Sequence, residues 1–65
     1  MSAVMRTIIC NSLQSFLDMA DNQFLEGFDV HCVFPTNDAI KDFILTCQKR
    51  YGIRSVSFTN AFALN

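Results

Sequence analysis

Residues 28–34 carry the clearest strand signal in the chain. Every second residue belongs to one apolar side, which is formed by Phe28, Val30, Cys32 and Phe34. This period of two is typical of a β-strand with one buried face. Pro35 ends the pattern. Because a segment with helical spacing lies on each side of this strand, and a further apolar run lies beyond each helix, we expect the strand to be the middle of the fold.

Two further segments are interpreted as strands. Residues 4–10 form an apolar run rich in β-branched side chains. Residues 55–64 alternate over a long distance, with one side formed by Val56, Phe58, Phe62 and Leu64. We interpret this last segment as one long strand, and a hairpin that bends at Thr59 and Asn60 is the alternative.

Helical spacing appears in two places. The first helix is predicted to begin after the N-cap candidates Asn11 and Ser12 and to stop at Gly27. Its apolar stripe is formed by Leu13, Phe16, Leu17, Ala20 and Phe24. The second helix is predicted to be capped by residues 36–38 and to exit through Gly52. Its stripe is formed by Ala39, Ile40, Phe43, Ile44, Cys47 and Tyr51.

The order β-α-β-α-β predicts the α/β fold class. We expect a two-layer α/β sandwich in which two helices cover one face of a three-stranded sheet, with residues 1–65 forming a single small domain. Right-handed crossovers give the strand order 1-2-3. Since each strand alternates instead of being apolar on both sides, the other sheet face should be bare. A last strand that runs antiparallel is the main alternative.

The cysteines indicate the compartment. Cys10, Cys32 and Cys47 are odd in number and lack the Cys-x-x-Cys spacing, which favours reduced thiols in a cytoplasmic protein. We expect them to be packed in the core, with no metal and no cofactor. The apolar run near the N-terminus is too short for a signal peptide or a membrane span, so no membrane association is expected.

No catalytic residues are predicted. His31 precedes Cys32 directly, but neighbouring residues of a strand point to opposite faces and cannot form a thiol–imidazole dyad. The sequence has no glycine-rich loop for phosphate. We therefore expect a protein that is not an enzyme.

The charges predict a partner-binding surface. No Lys or Arg lies between Arg6 and Lys41, and acidic and amide side chains gather on the outer face of the first helix. The predicted partner-binding residues are Gln14, Asp18, Asp21, Asn22 and Glu26. Such a face would select a larger protein with a basic surface.

Self-association is expected as well. Hydrophobic residues make up 51% of this short chain, and a body so small cannot bury all of them. We predict a symmetric homodimer through the bare sheet face or the edge of the last strand. The predicted interface residues are Ser55, Ser57, Thr59, Phe62 and Leu64.

The predicted function is a small non-enzymatic protein that binds a larger protein as a modulator or inhibitor. Proteins of this size and kind include those that viruses and bacteriophages encode, which act in the host cytoplasm. The alternative is a regulatory module that binds a small anionic ligand at its helix N-termini or nucleic acid through Lys49, Arg50, Tyr51 and Arg54. The net charge of −1 disfavours general nucleic-acid binding.

Overall fold

The computed structural model describes residues 6–59. Its elements in chain order are β1 (Thr7–Cys10), α1 (Leu13–Asp21), β2 (Asp29–Cys32), α2 (Asp38–Tyr51) and β3 (Ser55–Phe58). The strands form one sheet in the order β1-β2-β3, and both pairings are parallel. The predicted α/β fold and the central place of the middle strand are confirmed. The antiparallel alternative for the last strand is wrong.

One core lies between the helices and the sheet. The strands and both helices contribute buried side chains to it. They are Cys10, Val30 and Cys32 from the strands, Phe16 and Ala20 from α1, and Ile44 and Cys47 from α2. Because alternate residues of a strand point to opposite faces, the intervening strand residues point away from both helices. We call that surface the open face, and define it by Thr7, Ile9, Asp29, His31, Ser55 and Ser57.

The first helix is shorter than its predicted span. It ends at Asp21 with Asn22 as the C-cap, and Gln23 follows in the left-handed conformation with φ of 60°. The N–H of Phe24 donates to the oxygen of Met19 and the N–H of Gln23 to that of Ala20. This pair of bonds is a Schellman motif, a helix ending that usually has glycine where Gln23 stands. The predicted stop at Gly27 is therefore wrong.

The early end of α1 also corrects its apolar stripe. Phe24 lies beyond the helix and is 64% exposed, whereas Leu25 is fully buried. The N-cap is Ser12, whose Oγ accepts from the N–H of Ser15 at 3.0 Å. Residues outside a helix no longer follow its spacing, so the predicted stripe fails only at its last position.

The second helix has the predicted caps. The Oδ1 of Asn37 accepts from the N–H of Ile40 at 2.8 Å, and Gly52 ends the helix with φ of 68°. Its stripe is narrower than predicted, because only Ile44 and Cys47 are buried. Phe43 is 46% exposed, since it lies about 100° around the helix from Ile44.

The strands of the described chain have four residues each. The middle strand is thus shorter than the predicted run of residues 28–34. Whether the last strand continues or bends beyond Asn60 concerns residues 60–65, which lie outside the described ones. No helix among residues 6–59 has the length and apolar character needed to cross a membrane.

Candidate protein-interaction surface

The open face consists of two rows of side chains that cross the sheet. The first row is formed by Thr7, Asp29 and Ser55, and the second by Ile9, His31 and Ser57. Parallel pairing in register aligns these residues, because partners on adjacent strands then project side by side. The face therefore presents short polar side chains on β2 and β3 and an aliphatic side chain on β1.

Hydrogen bonds between side chains link β2 to β3 across this face. The Oγ of Ser55 donates to Oδ1 of Asp29 at 2.7 Å, and Nδ1 of His31 lies 2.7 Å from Oγ of Ser57. Nε of Arg54 approaches the same Asp29 oxygen at 3.7 Å. Such links restrict the rotamers of the side chains that they join, and a side chain restricted before binding loses less entropy when a partner binds.

The open face holds the residue types of a serine hydrolase without its arrangement. Ser57 contacts His31, but the Asp29 carboxylate accepts from Ser55 instead of orienting the imidazole. A hydroxyl nucleophile needs a base fixed by a third group and nearby donors for the developing oxyanion. Among residues 6–59, no further side-chain hydrogen bond orients the His31 imidazole for that role.

Ile9 is the feature of this face that the sequence analysis did not single out. It lies on the edge strand β1, and 57% of its surface is exposed. The signal was present in the sequence, because Ile9 occupies the side of the run opposite to Ile8 and Cys10. In a sheet covered on one side only, one of two adjacent isoleucines must face outward.

The residues predicted for a dimer interface fall partly on this surface. Ser55 and Ser57 belong to the open face. Thr59 follows β3 directly, and its N–H donates to the oxygen of Cys32 at 3.0 Å. Phe62 and Leu64 lie outside the described residues. The interface itself stays a prediction.

Four of the residues predicted to bind a partner lie on α1 or at its C-cap, and all four are exposed. Gln14 Nε2 donates to Oδ1 of Asp18 at 2.9 Å, and Nδ2 of Asn22 donates to the backbone oxygen of Asp18 at 2.7 Å. Asp21 instead accepts from the hydroxyl of Tyr51 on α2 at 3.2 Å. The helix brings the first three together and turns Asp21 toward the second helix.

Glu26 is the one predicted partner-binding residue that lies beyond α1 and its C-cap. It follows the end of α1 and lines a pocket of about 330 Å³ together with Gln23, Lys49, Arg50, Tyr51 and Gly52. The carboxylate thus shares its surroundings with two bases. The partner-binding role of these residues stays a prediction. The same carboxylate reduces the attraction of Lys49 and Arg50 for phosphate, as Asp29 does for Arg54.

At both helix N-termini, which are the alternative ligand sites, a side chain already bonds to a backbone N–H group. Ser12 caps α1 and Asn37 caps α2 through their own side chains. Each cap uses one of the backbone donors that an anion would need. The caps explain these polar residues as part of the fold.

The three thiols are free and buried. Cys10 and Cys32 are direct partners in the pairing of β1 with β2. Burial raises the pKa of Cys10 and Cys47, and it raises the pKa of Cys32 to about 12, with a further contribution from Cys10. The thiolate is the reactive and metal-binding form, so burial disfavours both roles. Within residues 6–59, no three His, Cys, Asp or Glu side chains are grouped as a metal site.

No protein-family model, curated protein or solved structure matches this chain. A proposal for function therefore depends on the geometry of the described residues.

Proposed function

We propose that this chain is a small non-enzymatic protein that binds a larger protein through the open face and thereby modulates or inhibits it. The observation that carries the proposal is the side of the sheet that neither helix of residues 6–59 covers, where cross-strand hydrogen bonds link polar side chains beside the exposed Ile9. Ordered polar groups next to an apolar side chain are what protein interfaces use for specificity and affinity.

Small molecules fit this surface less well. Sites for such ligands are concave and bury most of the ligand, whereas the open face is one side of a three-stranded sheet. A larger hollow of about 640 Å³ lies elsewhere, and its lining consists of Asp42, Leu45, Thr46, Lys49 and Arg50. All five belong to α2, so this hollow is a depression on one helix and has no walls from other elements of the described chain.

The test compares the wild type with three variant baits in an extract of the cells that encode the protein. Ser57→Arg places a long charged side chain on the β3 side of the open face, next to His31. Thr46→Arg makes the same kind of change on the exposed side of α2. We expect a partner that the wild type and Thr46→Arg retain to bind Ser57→Arg at least about tenfold more weakly, which is about 1.4 kcal/mol.

A third bait separates the two candidate surfaces. Asp18→Arg reverses a charge on the outer face of α1, where the sequence predicts the partner to bind. If Asp18→Arg loses the partner and Ser57→Arg keeps it, the open face is not the binding site. Identical retention by all baits would remove both surfaces from consideration.

A further inference from the structure

The outer edge of β1 has a defined set of unpaired backbone groups. The N–H of Asp29 donates to the oxygen of Arg6 at 2.8 Å, and the N–H of Val33 donates to that of Cys10 at 2.9 Å. The even-numbered residues of this segment therefore direct their backbone toward β2. Thr7 and Ile9 direct theirs outward, and among residues 6–59 no strand pairs with them. Such an edge is a template for another strand.

Apolar side chains surround this edge. Ile9 is exposed on the open face, and Ile8 is half-buried on the helix side. On α1, Asp21 faces α2 because Tyr51 donates to it. At 100° per residue Met19 lies about 160° around the helix from Asp21, and thus on the flank above β1. Met19 is half-buried and packs against the core. Ile9, Ile8 and Met19 thus form an apolar surface that extends from the open face, past the edge of β1, to α1.

We propose that a second copy of this chain binds here, with the two β1 strands antiparallel about a two-fold axis at Ile8. Thr7 of each copy then faces Ile9 of the other, and these pairs exchange all the outward N–H and C=O groups that β1 contains. Ile8 meets its own counterpart on the helix side. The two sheets join into one of six strands, and both pairs of helices lie on the same side.

The register follows from the length of the strand. Moving the axis by one residue to Ile9 would pair Thr7 with Asn11, which lies beyond the end of β1. With the axis at Ile8, both hydrogen-bonded pairs join Thr7 of one copy to Ile9 of the other, which are strand residues. Cys10 then lies opposite Arg6 in a pair that forms no hydrogen bonds. The segment Thr7–Cys10 also has no charged side chain and no proline, the two features that commonly protect an edge from pairing.

The edge of β3 offers less to a second copy. Its open-face side chains are Ser55 and Ser57, which are polar and already bonded to Asp29 and His31. Pairing there would bury little apolar surface on that face, whereas pairing at β1 covers Ile9. On the helix side both edges carry half-buried apolar side chains, which are Ile8 at β1 and Val56 and Phe58 at β3. The exposed Ile9 therefore decides in favour of β1, since apolar burial is the main driving force of association.

Engineered disulfides test the register in the full chain. In the proposed dimer the two Ile8 residues form a non-hydrogen-bonded antiparallel pair with Cα atoms about 4.5 Å apart, which is within the range for a disulfide. Ile8→Cys should therefore give a covalent dimer under mild oxidation. Val56→Cys is the matched control, because Val56 is half-buried in the same row of the sheet at the opposite edge. The native cysteines are buried and should not react.

Sedimentation equilibrium gives a second readout, with variants that change exposed residues and leave the core intact. Ile9→Arg changes an exposed residue and should weaken the dimer at least tenfold, whereas Ser57→Arg on the same face should leave it unchanged. A wild type that stays monomeric at high micromolar concentration would overturn the proposal. So would cross-linking of Val56→Cys in place of Ile8→Cys, since that result would move the contact to β3.

Discussion

Replacing Gln23 by glycine should stabilise the protein. Gln23 is the residue after the C-cap of α1, and its φ of 60° lies in the left-handed region. The two bonds of the Schellman motif, from Gln23 to Ala20 and from Phe24 to Met19, hold it there. Glycine adopts this conformation without the clash that a Cβ atom creates.

The magnitude follows from two opposing terms. A residue with a Cβ pays roughly 1–2 kcal/mol in the left-handed region, and glycine removes that cost. Glycine also makes the unfolded chain more flexible, which offsets about 0.4–1 kcal/mol. From the midpoints of these two ranges the net gain in the free energy of unfolding is about 0.8 kcal/mol, which for a domain of this size raises Tm by about 3–6 °C.

Urea denaturation with Gln23→Ala as the control isolates this effect. Alanine removes the exposed glutamine side chain but keeps the Cβ, so it should not relieve the strain. We expect Gln23→Gly to unfold at higher urea concentration than both Gln23→Ala and the wild type, with the same m value. If the glycine variant is no more stable than the alanine variant, the left-handed conformation of Gln23 does not limit stability and the reasoning fails.

Three further outcomes are expected from urea melts. Gly52→Ala should lower the free energy of unfolding more than Gly27→Ala does. Both glycines are left-handed, but a Cβ at Gly52 would lie 3.3 Å from Cγ of Glu26, whereas one at Gly27 would meet nothing within 4 Å. Equal losses in the two variants would contradict this. Asn37→Ala should lower the free energy of unfolding by about 1 kcal/mol, and Asn37→Ser should lower it much less, since serine can still cap α2. The pKa of Cys32 is raised from 9.0 to about 12, so its contribution to stability is complete below pH 9 and is lost as pH rises toward 12; Cys32→Ala should lose less stability over that interval.

The order of elements was predictable because its signals are local. Alternation marked the strands, and Asn37 and Gly52 marked the ends of α2 through chemistry that acts over a few residues. The end of α1 was not predictable in the same way, because Gln23 carries no turn signal. Ile53 was missed although it is buried and follows Gly52, where a Schellman ending often places an apolar residue.

The candidate site depends on longer-range information. Alternation predicted that Asp29 and His31 share a face, but their partners Ser55 and Ser57 follow from the register between β2 and β3. A shift of that register by one residue would reverse the face that β3 presents. The position of Glu26 was predicted wrongly for a local reason. The prediction placed it on α1, but that helix ends five residues before it.

The size of the open face connects the two proposals. Three strands of four residues cover roughly 14 by 13 Å, or about 200 Å², whereas a standard interface buries about 800 Å² per partner. Pairing at β1 would double this surface and bring two copies of the His31 and Ser57 pair onto one sheet. The covalent Ile8→Cys dimer should therefore retain the larger partner at least as well as the wild type. If the reduced protein, diluted until it is monomeric, retains the partner more strongly, the partner binds a single copy, and the remaining area of the interface lies outside the open face.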